Sequence, residues 1–258
     1  MKEFKKVMIG AAKKAGTFLL EEYEKFDRNS IELKSHGQIL TQADLGSEKI
    51  IIQEIRTYFP EHAILSEEGG GTNLEEAIKA EYLWVIDPID GTTNFSFHNP
   101  LWSISIGLIH NGEIVMGLVY APKLKEMFFA AKGEGATLNG NPIRVSNIMN
   151  DRAIHTFCHG GEKKDITRAM DYAKRQKIEG IDCRQLGSAA IELGYVACGR
   201  VESITIPGTK PWDVSAGVLI VREAGGIVTD FEGNSFMLKS SNIVASNGIV
   251  HKEILAKI

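Results

Sequence analysis

The sequence predicts an α+β protein built of two abutting halves, residues 1–147 and 148–258, on three observations. It opens with apolar residues at helical spacing. Its middle carries a β-hairpin pattern around Asn111-Gly112, the dipeptide that suits a tight turn matched to strand twist. Past Asn147 helices and strands mix without the strict βαβ alternation of one doubly wound sheet. No internal repeat, low-complexity tract or linker interrupts this pattern.

Taken in order, Phe4, Val7, Met8, Ala11, Ala15, Phe18 and Leu19 form one stripe with lysines and glutamates between. That is an amphipathic helix lying on a core; no apolar stretch is long enough for a signal peptide or a membrane span. "IELKSHGQIL" then reads as a short strand and a polar turn. A second helix follows, with Leu45, Ile51, Ile52, Ile55 and Phe59 as its stripe and Pro60 past its end. "AILSEEGGG" is a strand stopped by glutamates and glycines, and "EYLWVID" is the next strand. "LWSISIGLIH" and "EIVMGLVYAP" form the hairpin, and "EMFFAAKGEGATLNGNPIRVS" continues in short strands and turns. In the second half "DITRAMDYAKRQ", "SAAIELGYVACG" and "WDVSAGVLIVREAGG" read as helices. "GIVTDF" and "NIVAS" read as strands.

The composition, 43% hydrophobic and 24% charged over 258 residues, is that of a globular protein. Lys+Arg number 29 against Asp+Glu 33, a net charge of -4, so the basic excess of a nucleic-acid binder is missing. A small anionic substrate fits if a bound cation inverts the local charge. Neither nucleic acid nor a membrane is expected as a partner. Cys158, Cys183 and Cys198 are odd in number and form no CxxC pair, which predicts a reducing, cytoplasmic setting. His98, His155 and His159 have no metal-ligand spacing, and Trp84 and Trp212 read as packing residues.

The chemistry concentrates in "LWVIDPIDGTTNF". Pro88 cannot donate to a sheet ladder, so a turn is expected there that brings Asp87 and Asp90 to one side and frees the Ile89 carbonyl. Glu67, at the end of its own strand, and Asp213, at the start of a helix, are further oxygen donors. Such donors favour Mg²⁺, Mn²⁺ or Ca²⁺ over zinc or copper, and a cation relieves the repulsion among crowded carboxylates. Gly91 permits close backbone approach, and Thr92 and Thr93 could cap a helical turn whose amides face an anion. Metal beside an anion seat is what phosphoryl transfer to water requires.

"SEEGG", "WVIDPIDGTTNF" and "KPWDVSAGVLIVREAGG", with "LGSAAIELGYVACGRVES" between, resemble in order and spacing the signature segments of the inositol monophosphatase family. The resemblance implies a layered αβαβα sandwich of the sugar phosphatase type, a homodimer, and two or three Mg²⁺ ions, with Mn²⁺ as a substitute. Most metal ligands would fall in the first half, with Asp213 and substrate contacts in the second. It implies Glu67, Asp87, the Ile89 carbonyl, Asp90 and Asp213 as metal ligands. Ile89, Asp90, Gly91, Thr92 and Asp213 would contact substrate, and Thr92, Asp44 and Glu67 would act in catalysis. Lys34 matches a lysine of a mobile loop, although a solvated loop lysine reads as well. Asp44 is equally a helix start, and Ser188 is taken as a helix cap. Two positions depart from the family. Ile206 stands where relatives selective for inositol phosphates carry a ring-binding glutamate, and Gln38 stands where an acidic residue is common. The implied activity is hydrolysis of a small phosphorylated polyol or sugar. Fructose 1,6-bisphosphate, histidinol phosphate and nucleotide 3′-phosphates remain open as substrates, and a catalytically silent phosphate-binding regulatory protein is the rival.

Overall fold

Helix α1 (Lys2–Lys25) buries Val7, Met8, Ala11, Ala15 and Leu19, so the first apolar stripe does face a core. The computed structural model describes residues 1–28, 32–33 and 39–258; Lys34 and Gln38 lie outside the described residues. A two-stranded ribbon of β1 (Glu32–Leu33) and β2 (Ile39–Leu40) leads to α2 (Gln42–Tyr58). On α2 the expected stripe is only half right. Ile51 and Ile55 are buried, but Leu45 is exposed, and the buried face also takes Asp44, Ser47 and Glu48. Those polar groups have partners: Ser47 Oγ donates to the Pro88 carbonyl (2.9 Å), and Glu48 Oε1 accepts from the Gly70 amide (3.2 Å).

The chain continues through β3 (Ala63–Ser66), α3 (Leu74–Ala77), β4 (Tyr82–Asp90), α4 (Thr92–Ser96), β5 (Ser103–His110), β6 (Glu113–Ala121), β7 (Glu126–Ala131), β8 (Ala136–Leu138) and β9 (Asn141–Pro142). These seven strands lie in sequence order in one sheet, antiparallel throughout except for β3 on β4. The predicted hairpin is β5–β6, with Asn111 and Gly112 both at positive φ in its turn. The second half runs β10 (Ile154–Phe157), α5 (Lys163–Ile178), β11 (Asp182–Arg184), α6 (Ala189–Ala197), β12 (Ser203–Pro207), α7 (Pro211–Glu223), β13 (Ile227–Thr229), β14 (Asn242–Ser246) and α8 (His251–Leu255). Its five strands are ordered β11-β10-β12-β14-β13, with β10 parallel to both neighbours and β14 antiparallel to both of its own.

Three apolar layers hold this together. Helices α1 and α2 pack on one face of the large sheet, through Leu19, Ile51, Trp84, Ile104 and Leu118. On its other face α6 and α7 are sandwiched between the two sheets, where Phe128 and Val119 share a core with Leu193, Val218 and Ile243. Helices α5 and α8 close the far side over Phe157, Tyr172 and Val244. The result is the αβαβα layering that the resemblance implied. The central helix is seated without side chains at one point. A Cβ on Gly117 of β6 would fall 2.4 Å from the Ala216 carbonyl of α7, so only glycine lets α7 lie directly on the strand.

Candidate functional site

The site grows from the end of β4. Parallel pairing of β3 with β4 sets Ser66 opposite Ile86, and the Glu67 amide donates to the Ile86 carbonyl (3.2 Å), which brings Glu67 alongside Asp87. Across β5, Asp87 faces Ser105 and Asp90 faces Ser103, with the register slipping between them. The expected turn at Pro88 is therefore a bulge inside a strand that continues to Asp90. Proline supplies no ladder N–H, so pairing lapses there and resumes. The Ile89 amide donates to Asp87 Oδ1 (3.0 Å) and fixes the kink. Ser105 Oγ donates to the Trp212 carbonyl (3.2 Å), suspending the start of α7, and so Asp213, over the same strand end. Asp213 in turn caps α7 by accepting from the Lys210 amide (2.9 Å).

Gly91 then adopts φ +93°, and a Cβ there would press on the carbonyls of Leu101 (3.0 Å) and Gly187 (3.1 Å). That left-handed residue starts α4 at Thr92. Thr92 Oγ1 lies 3.1 Å from Asp44 Oδ1 and 3.0 Å from the Ile89 carbonyl, so its single proton is shared between two acceptors. Asp44 Oδ2 accepts from both the amide (2.8 Å) and the hydroxyl (2.6 Å) of Thr41. Asp44 is thus a helix start and a Thr92 partner at once.

A cavity of about 560 Å³ opens over this strand end, lined by Glu67, Asp87, Asp90, Thr92 and Asp213 together with Ile89 and Gly91. Every predicted site residue outside the undescribed loop except Asp44 lines it, and Asp44 stands one hydrogen bond behind through Thr92. Burial, then the Glu67 charge, pushes the Asp87 carboxyl well above the usual range. Asp213 is pushed up to about 8 by the same two causes. Asp90 reaches only about 6, because burial is opposed by hydrogen bonds from Ser188 and the Ala190 amide. Burial likewise lifts Asp44 to about 6 against its Thr41 bonds. Among the described residues no three such side chains are gathered tightly enough to hold an ion as they stand. The donor set, oxygen-only with its charges stacked against burial, nevertheless fits a hard divalent cation.

Sequence reasoning missed the shell behind Asp90. Ser188 caps α6 as expected, its Oγ accepting from the Ile191 amide (3.3 Å), but that hydroxyl also donates to Asp90 Oδ2. The amides of Ala189 (3.2 Å) and Ala190 (2.9 Å) donate to the same carboxylate. The loop before α6 is pinned from two sides. Asn94 Nδ2 donates to the Leu186 carbonyl (2.9 Å), while buried Glu192 Oε1 accepts from the amides of Leu186 (3.1 Å) and Gly187 (3.0 Å) and from Cys158 Sγ (3.1 Å). Glu192 is held up at about 7, chiefly by burial. A glutamate inside the otherwise apolar "AAIELGYVA" was the available signal. Trp212 and His159 line the cavity, whereas Trp84 is a core residue whose Nε1 donates to His62. His155 is buried between Ser203 Oγ (2.6 Å) and Asn150 Oδ1 (2.8 Å).

Comparison with known proteins bears on the whole chain. Residues 1–258 match the inositol monophosphatase family. The "Nus factor SuhB" of Pasteurella multocida is 41% identical over 98% of this chain and 94% of its own length. The "Fructose-1,6-bisphosphatase/inositol-1-monophosphatase" of Thermotoga maritima is 38% identical over 96% of this chain and 92% of its own. Among solved structures, the Thermotoga maritima IMPase superposes with a TM-score of 0.87 at 35% identity, covering 99% of this chain and 96% of that one. The extragenic suppressor protein suhB of Bartonella henselae gives 0.88 at 32% identity, covering 99% and 98%. With the layering, the acidic strand end and a match that runs from the first residue to the last in agreement, the chain belongs to the inositol monophosphatase family.

Proposed function

We propose that the chain is a Mg²⁺-dependent phosphomonoesterase acting on a small phosphorylated polyol or sugar. The observation that carries this reading is the convergence of Glu67, Asp87, Asp90 and Asp213, from three separate segments, on one cavity that Thr92 also lines, with Asp44 hydrogen-bonded behind it. The Ile89 carbonyl completes the oxygen donors. When bound there, Mg²⁺ supplies Lewis-acid charge to the phosphoryl oxygens and lowers the pKa of a nearby water. The chain's own groups do the rest. Thr92 donates its proton to Asp44, leaving hydroxyl lone pairs turned to the cavity to accept from and aim the attacking water. Asp44, buried behind it, is placed to take a proton through that hydroxyl. The amides of Gly91 and Thr92 serve the phosphate.

Ile206 lines the same cavity and is 2% exposed, an apolar wall that offers ring hydroxyls no acceptor. Selectivity for inositol is therefore not expected, and the substrate is sought among other phosphorylated sugars. A catalytically silent regulatory role is the alternative, in keeping with relatives named Nus factor. The complete acidic set favours catalysis, since four carboxylates crowded at a buried strand end are costly to keep without a cation to use them. Phosphate release measured with and without Mg²⁺ on inositol 1-phosphate, fructose 1,6-bisphosphate, histidinol phosphate and a nucleotide 3′-phosphate tests the proposal. Metal-dependent turnover of at least one is expected; silence on all four overturns the enzymatic reading.

A further inference from the structure

The carboxylates, Gly91 and Thr92 account for one part of the catalytic cavity. Another part is lined by residues 158–161, which run on from the end of β10, and by Ile206 of β12. That stretch is tied to β12 on both sides of residue 159. The Cys158 amide donates to the Thr205 carbonyl (3.1 Å), and the Gly160 amide donates to the Pro207 carbonyl (2.8 Å). His159 is thereby held beside Ile206, whose apolar side chain offers a substrate hydroxyl no acceptor.

Few polar side chains stand on this wall, and most are already committed or loosely placed. The Cys158 thiol donates to Glu192 Oε1 (3.1 Å). Trp212 lines the cavity with an indole that can only donate. Gln185 and Lys210 line it too, but both are exposed, and holding a long, mobile side chain in one place costs rotamer entropy. His159 differs from all of these. It is half-buried, and its ring is oriented by a bond between Nδ1 and the Gly160 carbonyl (2.9 Å). A carbonyl oxygen only accepts, so Nδ1 carries the ring proton, and Nε2 of the neutral imidazole is left with a lone pair. Among the described residues nothing donates to Nε2. The wall therefore carries one pre-oriented side-chain acceptor, uncharged and unspent, and an alcohol O–H that leaves water to enter the cavity needs such a partner.

We propose that His159 is a specificity-determining residue, its Nε2 accepting a hydrogen bond from a free hydroxyl on the alcohol portion of the substrate. The enzyme then prefers phosphomonoesters of polyols to those of simple alcohols. The proposal rests on the phosphatase reading and assigns the residue that reads the leaving alcohol.

The test compares glycerol 2-phosphate with isopropyl phosphate, the same ester without its two free hydroxyls, each with Mg²⁺. Wild type is set beside His159→Phe, which keeps a planar ring and has no acceptor, and His159→Gln, whose amide oxygen can take the place of Nε2. The readout is the ratio of kcat/KM for the two esters, because damage to folding or metal binding lowers both values together. Wild type should favour glycerol 2-phosphate. His159→Phe should lower the ratio by about threefold to tenfold, the worth of one neutral hydrogen bond, chiefly through KM, and His159→Gln should recover most of it. A ratio that Phe leaves unchanged, or that Gln lowers as far as Phe does, overturns the proposal. If neither ester is turned over, the four-substrate panel decides the phosphatase reading separately, and calorimetric titration of the same two esters with Mg²⁺ decides His159. The assignment stands if wild type binds glycerol 2-phosphate at least about threefold more tightly and His159→Phe erases the difference. It falls if the two esters bind alike or the difference survives the substitution.

Discussion

Stripping divalent cations from the protein should make its stability fall as pH rises through neutrality, opposite to acid denaturation driven by salt-bridged carboxylates. Asp213 sits at about 8, and Asp90 and Asp44 at about 6, against an ordinary aspartate value of about 4. Groups whose folded pKa is raised leave the folded state holding more protons than the unfolded chain, so their contribution is fully present below the unfolded value and lost as pH climbs through the folded one. Between pH 5 and 8 Asp213 alone spans about three units, an upper bound of about 4 kcal/mol at 1.36 kcal/mol per unit. Its carboxyl keeps one side open to the cavity, which reduces that figure, while Asp90 and Asp44 each add about 1 kcal/mol between pH 5 and 6. A net loss on the order of 3 kcal/mol corresponds to a drop in Tm of roughly 6–12 °C for a chain of this size. Scanning calorimetry in chelator across that pH range reads it directly, and Asp213→Asn should flatten the slope. Mg²⁺ binds the ionised carboxylates, so the Tm gain on adding it should be larger at pH 8 than at pH 5. A chelated protein whose Tm is flat or rises with pH, or a Mg²⁺ gain that shrinks toward pH 8, would refute the acidic cluster as a cation site.

Substitutions at three positions test the rest of the architecture. Asp90→Asn should cut phosphate release by about a thousandfold or more while leaving circular dichroism unchanged, because its one amide oxygen still accepts from Ser188 and the Ala190 amide; near wild-type turnover would remove Asp90 from the site. Glu192→Ala leaves the Leu186 and Gly187 amides without their acceptor and should cost about 2–4 kcal/mol in urea denaturation and raise the Mg²⁺ needed for half-maximal activity. Glu192→Gln keeps an acceptor oxygen and should restore most of both, and failure of Gln to do better than Ala would show that the loop is held by other means. Gly117→Ala forces β6 away from α7 and should destabilise by about 3 kcal/mol, whereas unchanged stability would mean that the helix is free to shift.

Much of this protein was legible in its sequence because the signals are local. The α1 stripe, the Asn111-Gly112 turn and the acidic residues of "WVIDPIDGTTNF" each follow from spacing, turn chemistry or donor type within a short window. The same locality explains the errors. Leu45 fits the α2 period but points to solvent, since that helix spends its buried face on Asp44, Ser47 and Glu48, whose partners at Thr92, Pro88 and Gly70 lie far along the chain. Pro88 was expected to end β4, yet the strand resumes because β5 remains beside it to pair with Asp90.

The sequence by itself determined the reacting end of the molecule: which carboxylates exist, that they are hard oxygen donors, and that Gly91 and Thr92 follow them. The tertiary structure decided what stands around them. It set Asp213 over Asp87 through Ser105, placed Ser188 and two amides on Asp90, and ran Glu192 behind the loop that carries them. It also held His159 beside Ile206 on the wall of the same cavity. Residue type fixes what a group can do chemically, but its neighbours across a hundred residues of chain are fixed only when sheets and helices pack.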